Sequence, residues 1–335
     1  TLAEWAAKEL ILELDEQVRA AGISKDLFYR AAVDISSFQN KWYGLPIVID
    51  AMAVYYNKDI VAEAGYNPET TPKTLEELFQ RAEVLTKVDG AGNITQLGFT
   101  GGWNLSEALV YMFGGRWWDP ATGKPTANDP GNVAAWTLMS NYYKKFGAEK
   151  ISTFTSEQVS NPLGSQFIAG KVAMAHDGDW ITACVRVYNP ELKWGVFPLP
   201  PAEGHDGSAY STPVDGAIYV VPTGSKHVAE SWEVVRWMGT SHEASCVIQK
   251  ALANASPLRE VGEDPDCLPN PEYKVFIDIM SHDKMYVWPP IAVSAFYANE
   301  RNALADAVNF GKMSPQEALD ELQRKVEEEL KKVEG

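Results

Sequence analysis

Long apolar runs are missing from this chain, none approaching the roughly 20 residues that a helix needs to cross a bilayer, so no segment reads as a membrane span. No charged, apolar, cleavable leader opens at Thr1, and that start reads as internal or processed. Cysteine is scarce: Cys184, Cys246 and Cys267 are the only three. They show neither CxxC nor Cys/His ligand spacing, which argues against a zinc site or a dithiol motif. Two readings of them stay open. They are buried apolar groups or, in an oxidising compartment, Cys246 and Cys267 pair across the Pro-rich loop they flank and leave Cys184 alone. Basic residues are short as well. With 29 Lys and Arg against 45 Asp and Glu the formal charge is −16, which repels phosphate backbones and anionic lipid, so nucleic acid is excluded as a partner. No GxSxG, HExxH or phosphate-cradling glycine loop occurs, and five scattered His suggest no triad. No cofactor and no metal are expected. His176, Asp177 and Asp179 lie together in an HDGDW turn, where Asp is an ordinary turn former.

What is plentiful is aromatic. The chain carries 11 Trp, 14 Tyr and 12 Phe, with Trp at roughly twice ordinary usage or more. A ring offers a flat apolar face to the C–H face of a sugar, and Asp or Asn meets its hydroxyls. Trp103, Trp117, Trp118 and Trp180 all fall in Gly-rich turns rather than in periodic segments, which shifts them from core toward ligand. With 335 residues, 45% of them hydrophobic, the chain is long enough for two domains with full cores.

The stretch Trp42–Asp59, WYGLPIVIDAMAVYYNKD, organises the rest. Leu45–Ile49 and Ala51–Tyr56 read as a buried strand pair, and Asp50 between them needs a partner because an unpaired buried carboxylate is costly. A ligand or backbone amides serve equally. Thr1–Leu14 reads as a short amphipathic helix running into a turn. Thr74 and Glu77 make a capping box for a helix over Leu75–Lys87. Pro130 opens a helix that Gly147 stops. Phe167–Trp180 reads as helix end, strand Val172–Ala175 and sharp turn, which puts Trp180 at a strand's carboxyl end, where ligands of open α/β sheets sit. Strand and helix alternate through Gly216–Met238, and Ser314 with Glu317 caps a C-terminal helix.

YGLPIVIDAMAVYYNKD, PKTLEELFQRAEVLTK, FIAGKVAMAHDGDW, SAFYANERNALADAV and MSPQEALDEL, in that order, resemble the extracytoplasmic solute-binding proteins of ABC importers, in the sugar-binding, maltose-binding-protein-like group. The resemblance covers Thr1 to about Lys332. It implies an α/β class and a two-lobe periplasmic-binding-protein fold, type II-like, with interleaved lobes and a hinge. The lobes expected are 1–64 with 214–261, and 65–213 with 262–335. It further implies a monomer, periplasmic or anchored outside the cell, that binds a carbohydrate in the cleft, passes it to membrane permease subunits and catalyses nothing. By residue match Asp50 is a ligand-binding acid, Trp180 the ring of a Gly-x-Trp turn, Tyr297 a stacking position and Arg301 the Arg further along that helix. Trp103 lies in a contact loop, and Trp42, Tyr43, Trp118 and Trp288 are further ligand-binding candidates. Family members open with strands and helices that have no counterpart before Thr1, so the first lobe is expected to be incomplete. The alternatives are a glycoside hydrolase pairing Asp50 with Glu107 or Asp179, and a binder of a polyol or sugar phosphate.

Overall fold

The two halves of the organising stretch part company in the computed structural model, which describes residues 2–102, 104–159, 161, 163–205, 213–282 and 285–334. The chain begins with helices α1 (Leu2–Ala7) and α2 (Arg30–Ile35), then strands β1 (Gly44–Asp50) and β2 (Met52–Asn57). Helix α3 (Leu75–Leu85), strands β3 (Lys87–Val88) and β4 (Ile94–Gly101), and helices α4 (Leu105–Met112) and α5 (Pro130–Phe146) follow. Next come β5 (Val172–Gly178), α6 (Ile181–Tyr188), β6 (Trp194–Phe197), β7 (Pro213–Val220) and α7 (Val228–Thr240). The chain closes with β8 (Tyr286–Val287), α8 (Ser294–Asn309) and α9 (Pro315–Glu334), shorter elements lying between these.

β1 and β2 are not a pair. β1 is the edge of a three-stranded sheet ordered β8-β7-β1, while β2 lies inside a five-stranded sheet ordered β6-β2-β5-β4-β3. The switch takes one residue, Ala51, which is fully buried. Both strands are apolar because each packs inside its own lobe, a pattern that adjacent paired strands would share. The first lobe therefore ends near Ala51 rather than at residue 64, and 52–64 belong to the second. The 262–335 range is corrected too, because β8 runs parallel to β7 with Val287 opposite Val214. Within 214–261, β7 runs antiparallel to β1, and α7 lies close enough on it that a Cβ on Gly239 would sit 2.6 Å from the Leu45 side chain.

The central strand β5 runs antiparallel to β2 and parallel to β4, and six of its seven residues are buried. Helices α8 and α9 pack on α5 to complete the second lobe. Local signals set the helix ends. The Glu77 amide donates to Thr74 Oγ1 at 3.1 Å, and Ser314 and Glu317 cap α9 reciprocally. The opening stretch is a short helix, Leu2–Ala7, that runs into a turn, as its sequence suggests. Cys246 and Cys267 form a disulfide, with Cα atoms 5.1 Å apart, and Cys184 is free.

Candidate functional site

A cavity of about 320 Å³ opens where the two lobes meet. One wall is first-lobe: Leu2 and Ala3 from α1, Asp34 and Ile35 from α2, Ser37, and Asp215, Gly216 and Ile218 from β7. The other holds Asn104 at the start of α4 and Glu107 within it, Trp288 after β8, and Ser294, Ala298 and Arg301 along one face of α8. The spacing of those last three, four and three residues apart, is what one helical face requires.

Arg301 is the anchor of the second wall. It is 1% exposed, its guanidinium pairs with Glu107, and it lies 4.3 Å from the Trp288 ring centre and 5.8 Å from that of Trp117. Trp288 is itself fixed, its Nε1 donating to the Ser294 carbonyl at 3.0 Å. Burial pushes the Glu107 carboxyl up from its ordinary value, and Arg301 pulls it back. A buried pair of this kind breaks at high cost when one member is removed, because the other keeps an uncompensated charge.

Tyr297 stands behind this wall, not in it. Fully buried, it donates to the Trp117 carbonyl at 2.8 Å and meets the Trp288 ring edge-on at 5.0 Å between centres. No ring face is left for a ligand, so the stacking position expected there is filled by core packing. Trp117 is 1% exposed and likewise core.

A second polar cluster lies at the strand crossing. Asp50, in register with Asp215 of β7, accepts from Asn254 Nδ2 at 2.7 Å. The partner demanded by its setting is thus an amide, although burial still raises its carboxyl. Asp179 is fully buried, and one carboxylate oxygen takes the Ala255 amide and the Tyr273 hydroxyl at 3.0 Å each. Burial and then Asp50 hold its carboxyl well above the usual range, and its two hydrogen bonds tie the end of β5 to Ala255 and Tyr273. Trp180 follows at the start of α6, half-buried. Its ring lies over Gly178 so closely that a Cβ there would sit 2.0 Å away, which explains the glycine in the GDW turn.

Neither Asp50 nor Trp180 is among the residues that line the cavity, although Asp50 is in register with Asp215, which does. Trp42 is 5% exposed and packs on Phe28 with ring centres 5.9 Å apart. Tyr43 lies against Phe38 and Trp118 sits half-buried in a hairpin with Pro125, so neither joins the cavity wall. Trp103 lies outside the described residues. Of the nine residues expected to bind ligand, Arg301 and Trp288 reach the cavity. Asp34, Ser37, Asn104 and Asp215 line it without being among those nine, and Glu107 is expected only as the alternative hydrolase's acid. A lone acid in the apolar run LSEALVYM was a signal of the same kind as Asp50. The one described cluster with metal-like spacing, His242, Asp264 and Cys267, has its sulfur committed to the disulfide.

A fold of two sheets in separate lobes, crossed by the chain and holding a cleft between them, is the architecture of a two-lobe binding protein. The model of the family described as bacterial extracellular solute-binding protein matches residues 1–244, and the chain belongs to that family. It is 25% identical to a maltotriose-binding protein of Pyrococcus abyssi over all of this chain and 69% of that protein. It is 25% identical to a maltooligosaccharide ABC transporter solute-binding lipoprotein of Streptococcus pneumoniae over 64% of this chain and 49% of that protein. Among solved structures, that of CpMnBP1 with mannotriose bound superposes with a TM-score of 0.86 at 28% identity, covering 96% of this chain and 82% of the other. The GacH receptor of Streptomyces glaucescens shares the fold, with a TM-score of 0.79 at 23% identity over 98% of this chain and 81% of that one.

Proposed function

We propose that this chain binds an oligosaccharide in the cleft between its lobes, outside the cytoplasmic membrane, and presents it to the membrane subunits of an ABC importer. The observation that carries the reading is the composition of the cleft, an indole at Trp288 fixed beside hydroxyl, amide and carboxylate groups that converge from both lobes. Rings supply apolar faces and the polar groups fix hydroxyls, the usual division of labour in a saccharide site. The relatives named for maltotriose, maltooligosaccharide and mannotriose support the ligand class. The Cys246–Cys267 disulfide fits an oxidising, extracytoplasmic compartment. Asp50, in register with the lining residue Asp215, and Trp180, half-buried at the start of α6, are assigned as outer contacts for a longer saccharide.

The hydrolase pairing of Asp50 with Glu107 or Asp179 needs both carboxylates open to substrate, whereas Asp179 is fully buried and Glu107 is held by Arg301. Incubation with maltotriose and with mannotriose separates the two functions. Saturable binding that raises the melting temperature, by about 2.7 kcal/mol of stabilisation at 100 times the dissociation constant, with no new product, is expected. Steady turnover would refute it.

A further inference from the structure

Among the described residues the cleft holds one cation, and that cation is already paired. Among the described residues that line it, Asp34, Glu107 and Asp215 are acidic and Arg301 alone is basic. Glu107 pairs with Arg301, Asn302 Oδ1 accepts from Nη2 at 3.1 Å, and Trp288 lies against the guanidinium. With 1% of Arg301 and 3% of Glu107 exposed, the pair meets a ligand as a neutral, preorganised unit. Asp34 has a long contact to the exposed Arg30, 3.7 Å away, and feels Lys25 as well, both on the first-lobe side. Asp215 is exposed and stands opposite Asp50, whose own partner is the uncharged Asn254. The charge left over in the cleft is negative, and so is that of the whole chain, at −16.

We propose that Glu107 is a charge filter: by neutralising Arg301 it makes the cleft accept uncharged or amine-bearing saccharides and reject those that carry carboxylate or phosphate groups. The inference rests on the cleft being a saccharide site and adds the class of saccharide. A ligand anion gains no free cation here, loses its hydration, and approaches Asp215; discrimination of this kind comes from the repulsive element as much as from the attractive one. An arginine left free would do the opposite, since its planar fork suits carboxylate and phosphate.

The test compares one trisaccharide with its own anion. Maltotriose and mannotriose are titrated into the protein by calorimetry, each beside the same sugar oxidised at C6 to the uronate. The filter predicts that the uronate binds at least about tenfold more weakly than its parent at low salt, with the gap narrowing as salt is added. In Glu107→Gln, which keeps the shape and removes the anion, the preference shrinks or inverts in favour of the uronate. Should that variant fail to fold, the wild-type comparison decides alone. A uronate bound as tightly as its parent overturns the filter and leaves the carbohydrate reading standing. Failure of both neutral sugars to bind, with the uronates bound, overturns the filter, and silence from all of them removes the carbohydrate reading together with it.

Discussion

His176 makes the acid side of this protein's stability predictable. It lies in the middle of β5, fully buried between Val54 of β2 and Gly101 of β4. Neither ring nitrogen has a hydrogen-bond partner among the described residues. Burial lowers its pKa from 6.5 to about 4. The fold thus holds the neutral ring, while the unfolded chain takes a proton near 6.5. Stability from this group is present above that value and is lost as pH falls toward 4. The full shift corresponds to about 3 kcal/mol, of which about 2 kcal/mol is lost by pH 5. Asp177 works in the other direction. Burial pushes its carboxyl up to about 6, so its penalty fades as pH falls, and the wild-type curve alone mixes the two. His176→Leu removes one titration and keeps the other. Thermal unfolding of both proteins at pH 7 and pH 5 should show the wild type losing about 2 kcal/mol more, roughly 3 °C in melting temperature for a chain of this length. Parallel losses would refute the assignment of a buried, unprotonated imidazole.

Further outcomes follow from particular contacts. Trp180→Ala should weaken oligosaccharide binding by about 1 to 3 kcal/mol and cost the ligand-free fold less than the 3 to 5 kcal/mol or so of a core ring; a large fall in melting temperature with unchanged binding would make the ring structural. Tyr297→Phe, which deletes the bond to the Trp117 carbonyl, should lower stability by about 1 kcal/mol and leave sugar affinity unmoved, as measured by urea unfolding and calorimetry. Reduction of Cys246–Cys267, separated by 21 residues, should cost about 3 kcal/mol, and an unchanged urea midpoint under reductant would count against the bridge.

Legibility in the sequence followed range of interaction. The Thr74 and Ser314 caps were visible because each is closed within three or four residues. The separation of β1 from β2 was not, because apolar β-branched runs look alike whether they pair with each other or with strands more than a hundred residues away, as Met52 does with Gly178. Asp50 was marked by its apolar flanks, yet its partner Asn254 lies 204 residues along the chain. Glu107 carried the same mark, and Arg301 is 194 residues from it. Tyr297 illustrates the reverse error. The family residue match makes it a stacking ring, whereas Trp117 and Trp288, from two other segments, enclose it.

The most direct trial of the central claim, that the ligand occupies the cavity between the lobes, is to fill that cavity. Ala298 lines it from α8 and is only partly buried. Ala298→Trp projects an indole into the space, and calorimetric titration with maltotriose and mannotriose is run beside a melting curve that verifies the fold. The account predicts a melting temperature close to that of the wild type and binding reduced by about a hundredfold or more. Wild-type affinity in the folded variant would contradict it.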